Sequence, residues 1–231
     1  DYAGMAAQTK QLAQEFATLG PWVSLFEIYC GLRGLEQAMM DIALEPEFVS
    51  AVLDKIEAIQ TAVMENVFAH TQGALDAVFV SDDMGSQQGL LIAPAMWEEH
   101  IRPRFQRWCD LIHAHGATVF HHTDGAARPL IPQYIEIGVD VLNPIQHKCT
   151  GMEMDGLKRD FGSALIFHGG VDTQEVLPFR DAAAVRAETR ACLAQLGAGG
   201  GFICCSCHNI QAGTPLENIL AMIDTVHTFK T

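Results

Sequence analysis

Two imidazoles and a carboxylate close the apolar run Ala117-Thr118-Val119-Phe120-His121-His122-Thr123-Asp124-Gly125. On a strand end, residues two apart share a face, so His122 and Asp124 point the same way and His121 points the other. Imidazole and carboxylate both bind Zn²⁺ or a similar divalent ion, at ~2.0–2.2 Å. Imidazole is also the common general acid or base. His121 reads as structural. A second run ends in Cys204-Cys205-Ser206-Cys207-His208. Imidazole suits a borderline ion and thiolate a softer one. The expected metal ligands are therefore His122, Asp124 and His208, with Cys207 as an alternative third. Cys204 and Cys205 read as buried strand residues.

Four further runs close on polar groups: Glu27, Asp82-Asp83, Asn143, and His168-Gly169-Gly170-Val171-Asp172. Adjacent carboxylates alternate in direction, so one of Asp82 and Asp83 is expected to face the site. There it would orient substrate, act as a base or hold a histidine ligand. His122, Asp82, Asp83 and His168 form the candidate acid–base set. Glu27, Asn143, Gln146 and Asp172 form the candidate substrate-binding set. Gly169-Gly170 would let a ligand approach the backbone closely.

These tips must be positioned by strands that alternate with helices. Residues 1–16 read as a helix, with Gly20-Pro21 as a break. Trp22–Phe26 reads as a short strand. Helices follow over 34–43 and 46–70, then a strand at 77–81 and a helix at 95–114 kinked at Pro103. Beyond that come strand 117–122, helix 127–137, strand 139–143, helix 152–161 and strand 164–168. Helix 181–196, strand 201–206 and helix 215–229 complete the chain. Gly116, Gly138, Gly162 and Gly197 stand where helices hand over to strands. The Gly197–Gly201 stretch precedes a strand, so it lacks the geometry of a phosphate loop.

Strands alternating with helices imply a parallel sheet. The expected fold is α/β: a (β/α)8 TIM barrel with about six βα units in this chain. The first strands are expected to lie before residue 1. In such a barrel the C-terminal strand ends share one mouth, where the active site sits. Residues 1–231 are expected to form one domain.

Composition bounds the function. The chain has 28 acidic and 14 basic residues, a net charge of −14. That opposes a nucleic-acid partner and an anionic membrane. No secretory signal or spanning run is evident. Seven cysteines, three of them within 204–207, fit free or metal-bound thiols and a cytoplasmic location better than bridges. A homodimer is compatible with all of this.

Five segments in order resemble the uroporphyrinogen decarboxylase-like superfamily. They are Asp82-Asp83-Met84-Gly85-Ser86-Gln87, Gly138-Val139-Asp140-Val141-Leu142-Asn143-Pro144, and His168-Gly169-Gly170-Val171-Asp172-Thr173-Gln174. His208-Asn209-Ile210-Gln211 and Thr214-Pro215-Leu216-Glu217-Asn218-Ile219 complete the set. The resemblance implies a β/α barrel and one of two chemistries. Decarboxylases of tetrapyrrole carboxylates, which are lyases, need no cofactor. Corrinoid-linked methyltransferases bind zinc through a His-x-Cys pair and a distant Cys. Here His122-Thr123-Asp124 falls on that pair, with Asp for Cys, and His208 falls on or beside the distant Cys. The neutral loop Asn143-Pro144-Ile145-Gln146 is similar to the methyltransferase branch. The leading expectation is a methyltransferase moving a methyl group between a small-molecule donor and a corrinoid protein, with Zn²⁺ assisting. A decarboxylase and a non-catalytic tetrapyrrole- or metal-binding barrel are the alternatives.

Overall fold

Short β-branched and aromatic runs bounded by turns form six strands in the computed structural model, which describes residues 2–230. They are β1 (Leu19–Val23), β2 (Ala77–Ser81), β3 (Thr118–His122), β4 (Val141–Ile145), β5 (Ile166–Val171) and β6 (Phe202–Ser206). Their order in the sheet is β1-β2-β3-β4-β5-β6. A doubly wound sheet reverses its strand order at a switch point, whereas a barrel winds sequentially. The sequential order here is that of the β/α barrel. Helices occupy every interval between consecutive strands. Among the described residues, no helix is long and apolar enough to cross a membrane.

The chain folds as two compact units. One holds β1–β3, together with Leu91–His122 and Pro132–Asp140. β1–β2 and β2–β3 are parallel, with Ser81 opposite His122. Its core contains Val78, Val80, Val119, Trp97, Phe105, Trp108 and Tyr134, all buried. His121 lies in that core. Its ring packs on Phe105 and Tyr134, and Nδ1 contacts the Val80 carbonyl at 2.9 Å. Burial pulls its pKa down to about 3, so the ring is neutral.

The other unit holds Met84–Leu90, Thr123–Ile131 and everything from Val141 onward. β4–β5 and β5–β6 are parallel. Helices Ala182–Leu196 and Leu216–Thr228 help to bury Val171, Val176, Leu177, Val185, Cys192, Ala221 and Met222.

Several expectations are corrected. The first helix runs Tyr2–Leu12, and Asp1 and Thr231 lie outside the described residues. Gly20-Pro21 is inside β1 and does not precede it. Proline lacks the ladder donor but is tolerated at a bulge or irregularity in the ladder. β1 is the terminal strand of the order, and its register shifts between Leu19 and Trp22, the interval that contains Pro21. Glu27 consequently sits in the first turn of helix Phe26–Arg33 and not on a strand tip. The kinked helix is two helices, Pro94–His100 and Arg102–Ala114. Pro103 falls in the first turn of the second, where a missing N–H costs little. β4 and β5 outrun their expected ends, so Asn143 and His168 are interior strand positions.

Candidate active site

Ser81 and His122 end paired strands, and Asp82 and Asp83 follow Ser81 directly. The two carboxylates diverge. Asp82 is buried and accepts from Ser24 Oγ at 2.7 Å and from the backbone N–H groups of Leu25, Phe26 and Glu27 at 3.1, 2.7 and 3.0 Å. These are orphan donors at the start of helix Phe26–Arg33, so Asp82 caps that helix from another strand. Burial pushes its carboxyl up to about 7, against the pull of these bonds. These partners have Asp82 holding the start of the helix.

Asp83 is more exposed, and its Oδ1 lies 3.6 Å from His122 Nε2. Glu27 is placed by the capped helix. Ser81 Oγ donates to both of its carboxylate oxygens, at 3.2 and 3.1 Å. Burial and the nearby Asp83 charge raise the Glu27 pKa above the ordinary glutamate value. Ser24 and Ser81 carry no motif signal. Only the polar end of an apolar run marks them.

The loop after β3 carries Asp124 and is anchored on both sides of it. Thr123 N–H donates to the Asn143 carbonyl at 2.7 Å, and Thr123 Oγ1 accepts from Met84 N–H at 3.0 Å. Gly125 N–H donates to Gln146 Oε1 at 2.6 Å, and Ala126 N–H to the Ser86 carbonyl at 2.8 Å. Gly85 and Gly125 cross backbone on backbone. A Cβ on Gly85 would lie 2.6 Å from the Asp124 carbonyl oxygen, and one on Gly125 2.5 Å from Gly85 C. The Met84-Gly85-Ser86-Gln87 stretch therefore braces this loop. Asp124 Oδ2 lies 3.9 Å from His208 Nε2. Asp124 and His208 thus offer a carboxylate and an imidazole to one place, and His122 ends β3 two residues before Asp124.

Cys207 does not join that group. It is buried, its Sγ donates to the Ile145 carbonyl at 3.3 Å, and burial pushes its thiol well up. Asn143 Nδ2 donates to His168 Nδ1 at 2.7 Å, and Cys205 Sγ lies 3.5 Å from the same nitrogen. Asp172 is buried and bound internally. It accepts from Lys148 Nζ and from the N–H groups of Gln174, Glu175 and Val176. Burial raises its pKa, but these donors outweigh it and the net shift is downward. Its carboxylate closes a turn. Gly169 and Gly170 are packed closely on the side where a Cβ would stand. A Cβ on Gly169 would meet Ile145 N at 3.0 Å, and one on Gly170 would meet Phe202 and Cys192 at 3.2–3.3 Å.

Comparison with known proteins places this geometry in a family. The model of the uroporphyrinogen decarboxylase (URO-D) family matches residues 5–229. No curated protein matches by sequence. A solved structure, a methyltransferase from Methanosarcina mazei, superposes with a TM-score of 0.73 at 15% identity. The match covers 95% of this chain and 62% of that one, so this chain spans somewhat under two thirds of its length. At that identity the likeness is one of fold. The sequential β/α order, the ordered motifs and a family match over nearly all of its length make this chain a member of the uroporphyrinogen decarboxylase (URO-D) family.

Proposed function

We propose that this protein is an enzyme moving a methyl group between a small-molecule donor and a corrinoid protein, assisted by a divalent ion on His122, Asp124 and His208. The observation that carries the reading is the approach of His208 Nε2 to 3.9 Å from Asp124 Oδ2, with His122 ending β3 two residues before Asp124. Ligands on one tetrahedral zinc stand about 3.4 Å apart. Asp124 and His208 already approach to 3.9 Å, close to that spacing. Three protein ligands leave a fourth position open, as a catalytic zinc requires. Bound there, the ion would supply Lewis acidity toward an oxygen of the donor.

The chain's own residues do the rest. The braced loop holds Asp124 in place. Asp82 holds the helix that presents Glu27, and Glu27 keeps its proton to higher pH than an exposed glutamate would. A ligand set of nitrogen and oxygen favours a harder ion than a thiolate set does. That supports a methoxylated or other oxygen-linked donor.

Charge favours methyl transfer over decarboxylation of a tetrapyrrole polycarboxylate, which needs Arg or Lys partners. Lys148 is engaged by Asp172 and Glu175, Arg128 by Asp160 and Arg33 by Asp41. The test is to incubate the purified protein with a corrinoid protein and methoxylated aromatic donors, reading the corrinoid spectrum. The reading predicts a methyl-cobalt spectrum with at least one donor. Decarboxylation of a tetrapyrrole carboxylate, with no corrinoid methylation by any donor, would overturn it.

A further inference from the structure

We propose that Gln146 is a positioning residue for Asp124, acting through its side-chain oxygen alone. The proposal rests on the metal reading above and goes beyond it by reassigning a residue expected to bind substrate. Gln146 Oε1 accepts from Gly125 N–H at 2.6 Å, the peptide unit that follows Asp124. The same oxygen lies 3.7 Å from Cys149 Sγ, and that thiol also donates to Gln87 Oε1 at 3.3 Å. Cys149 is buried, and burial raises its pKa, so it remains a thiol with a proton to donate. Gln146 is thus oriented by a neighbour and applies that orientation to the Asp124 loop.

The loop needs this brace. Gly125 has a φ of +83° and is packed against the Gly85 backbone. Thr123 fixes the residue before Asp124 and Gln146 fixes the one after. With Thr123 anchored and the peptide unit that follows Asp124 held, the carboxylate has less freedom as it meets His208 at 3.9 Å. Partners that orient a ligand typically contribute about 10–100-fold to metal affinity.

A requirement for an acceptor and nothing else makes a sharp test. Gln146→Glu keeps the oxygen that receives Gly125 N–H. Gln146→Leu removes it at similar size. Co²⁺ affinity is measured by optical titration of the metal-stripped protein, with amide hydrogen exchange of residues 123–126 followed in parallel. We expect Gln146→Leu to weaken Co²⁺ binding by about 10–100-fold and to speed exchange, and Gln146→Glu to stay close to the parent in both. Unchanged binding and exchange in Gln146→Leu would overturn the proposal. So would an equal loss in Gln146→Glu, because the amide N–H would then be the working group. If the parent protein binds no Co²⁺, the metal reading falls on its own. Exchange then decides the positioning claim: faster in Leu but not in Glu upholds it, and no difference overturns it.

Discussion

Removing the Asp82 carboxylate with Asp82→Ala would strand four buried donors, whereas Asp82→Asn would keep an acceptor for them. The donors are Ser24 Oγ and the N–H groups of Leu25, Phe26 and Glu27. Loss of a helix cap costs about 0.5–2 kcal/mol. Each buried donor left unmade costs about 1–3 kcal/mol, although water entering the gap would satisfy some of them. A total of about 3–5 kcal/mol is therefore expected for Asp82→Ala. For a chain of this size that corresponds to a Tm lower by roughly 6–20 °C. Asparagine caps as well as aspartate does, so Asp82→Asn should stay within about 1 kcal/mol of the parent. A pH series adds an independent signature. Burial raises the folded pKa to about 7 from 3.8. The unfolded chain therefore releases this proton first. The contribution of the group is complete below about pH 4 and is lost as pH rises toward 7, because the unfolded state then binds fewer protons. Asp82→Asn should flatten that decline. Urea denaturation of the three proteins from pH 4 to 8, with methyl-transfer assays, checks both points. Parent-like stability in Asp82→Ala would refute the cap assignment, and a stable Asp82→Asn protein with activity abolished would give Asp82 an acid–base role besides the cap.

Three other outcomes are expected. His122→Ala should lower activity by about 10²-fold or more with Tm nearly unchanged; a large Tm loss with intact specific activity would make His122 structural. Gly85→Ala should cost about 1–3 kcal/mol by driving a Cβ to 2.6 Å from the Asp124 carbonyl oxygen, and should weaken metal binding as well; a parent-like Tm would contradict the backbone crossing. Asp172 has a lowered folded pKa, so its contribution is present above about pH 4 and is lost as pH falls further. Asp172→Asn should show a weaker loss of stability in acid, read by thermal melts from pH 3 to 6, and an unchanged acid slope would contradict its ion pair with Lys148.

Much of the fold is legible in the sequence because β-branched runs ending in a polar residue mark strands directly. β2, β3 and β6 end at Ser81, His122 and Ser206, where the apolar pattern stops. What the sequence hides is non-local. Gly20-Pro21 has the local signature of a break, yet it lies inside β1, where the register with β2 shifts. Helix Phe26–Arg33 takes its cap from Asp82, more than fifty residues away, so no start signal precedes it in the sequence. The candidate site divides the same way. Residue type and spacing point to His122, Asp124 and His208. Spacing does not reveal that Asp172 and Asp82 spend their carboxylates on backbone N–H groups, because those donors become visible only after folding. Gly169 and Gly170 read as openings for a ligand, and spacing does not reveal that Ile145, Cys192 and Phe202 fill the side where a Cβ would stand.

Metal stoichiometry of the purified protein after chelation and reloading with Zn²⁺ tests the metal assignment most directly. Elemental mass spectrometry would be applied to the parent and to His122→Ala, Asp124→Ala and His208→Ala, each first shown by circular dichroism to be folded. About one zinc per chain in the parent, and loss of tight binding in all three variants, is the predicted result. No retained zinc in the parent, or undiminished retention in the variants, would contradict a metal centre built from these three side chains.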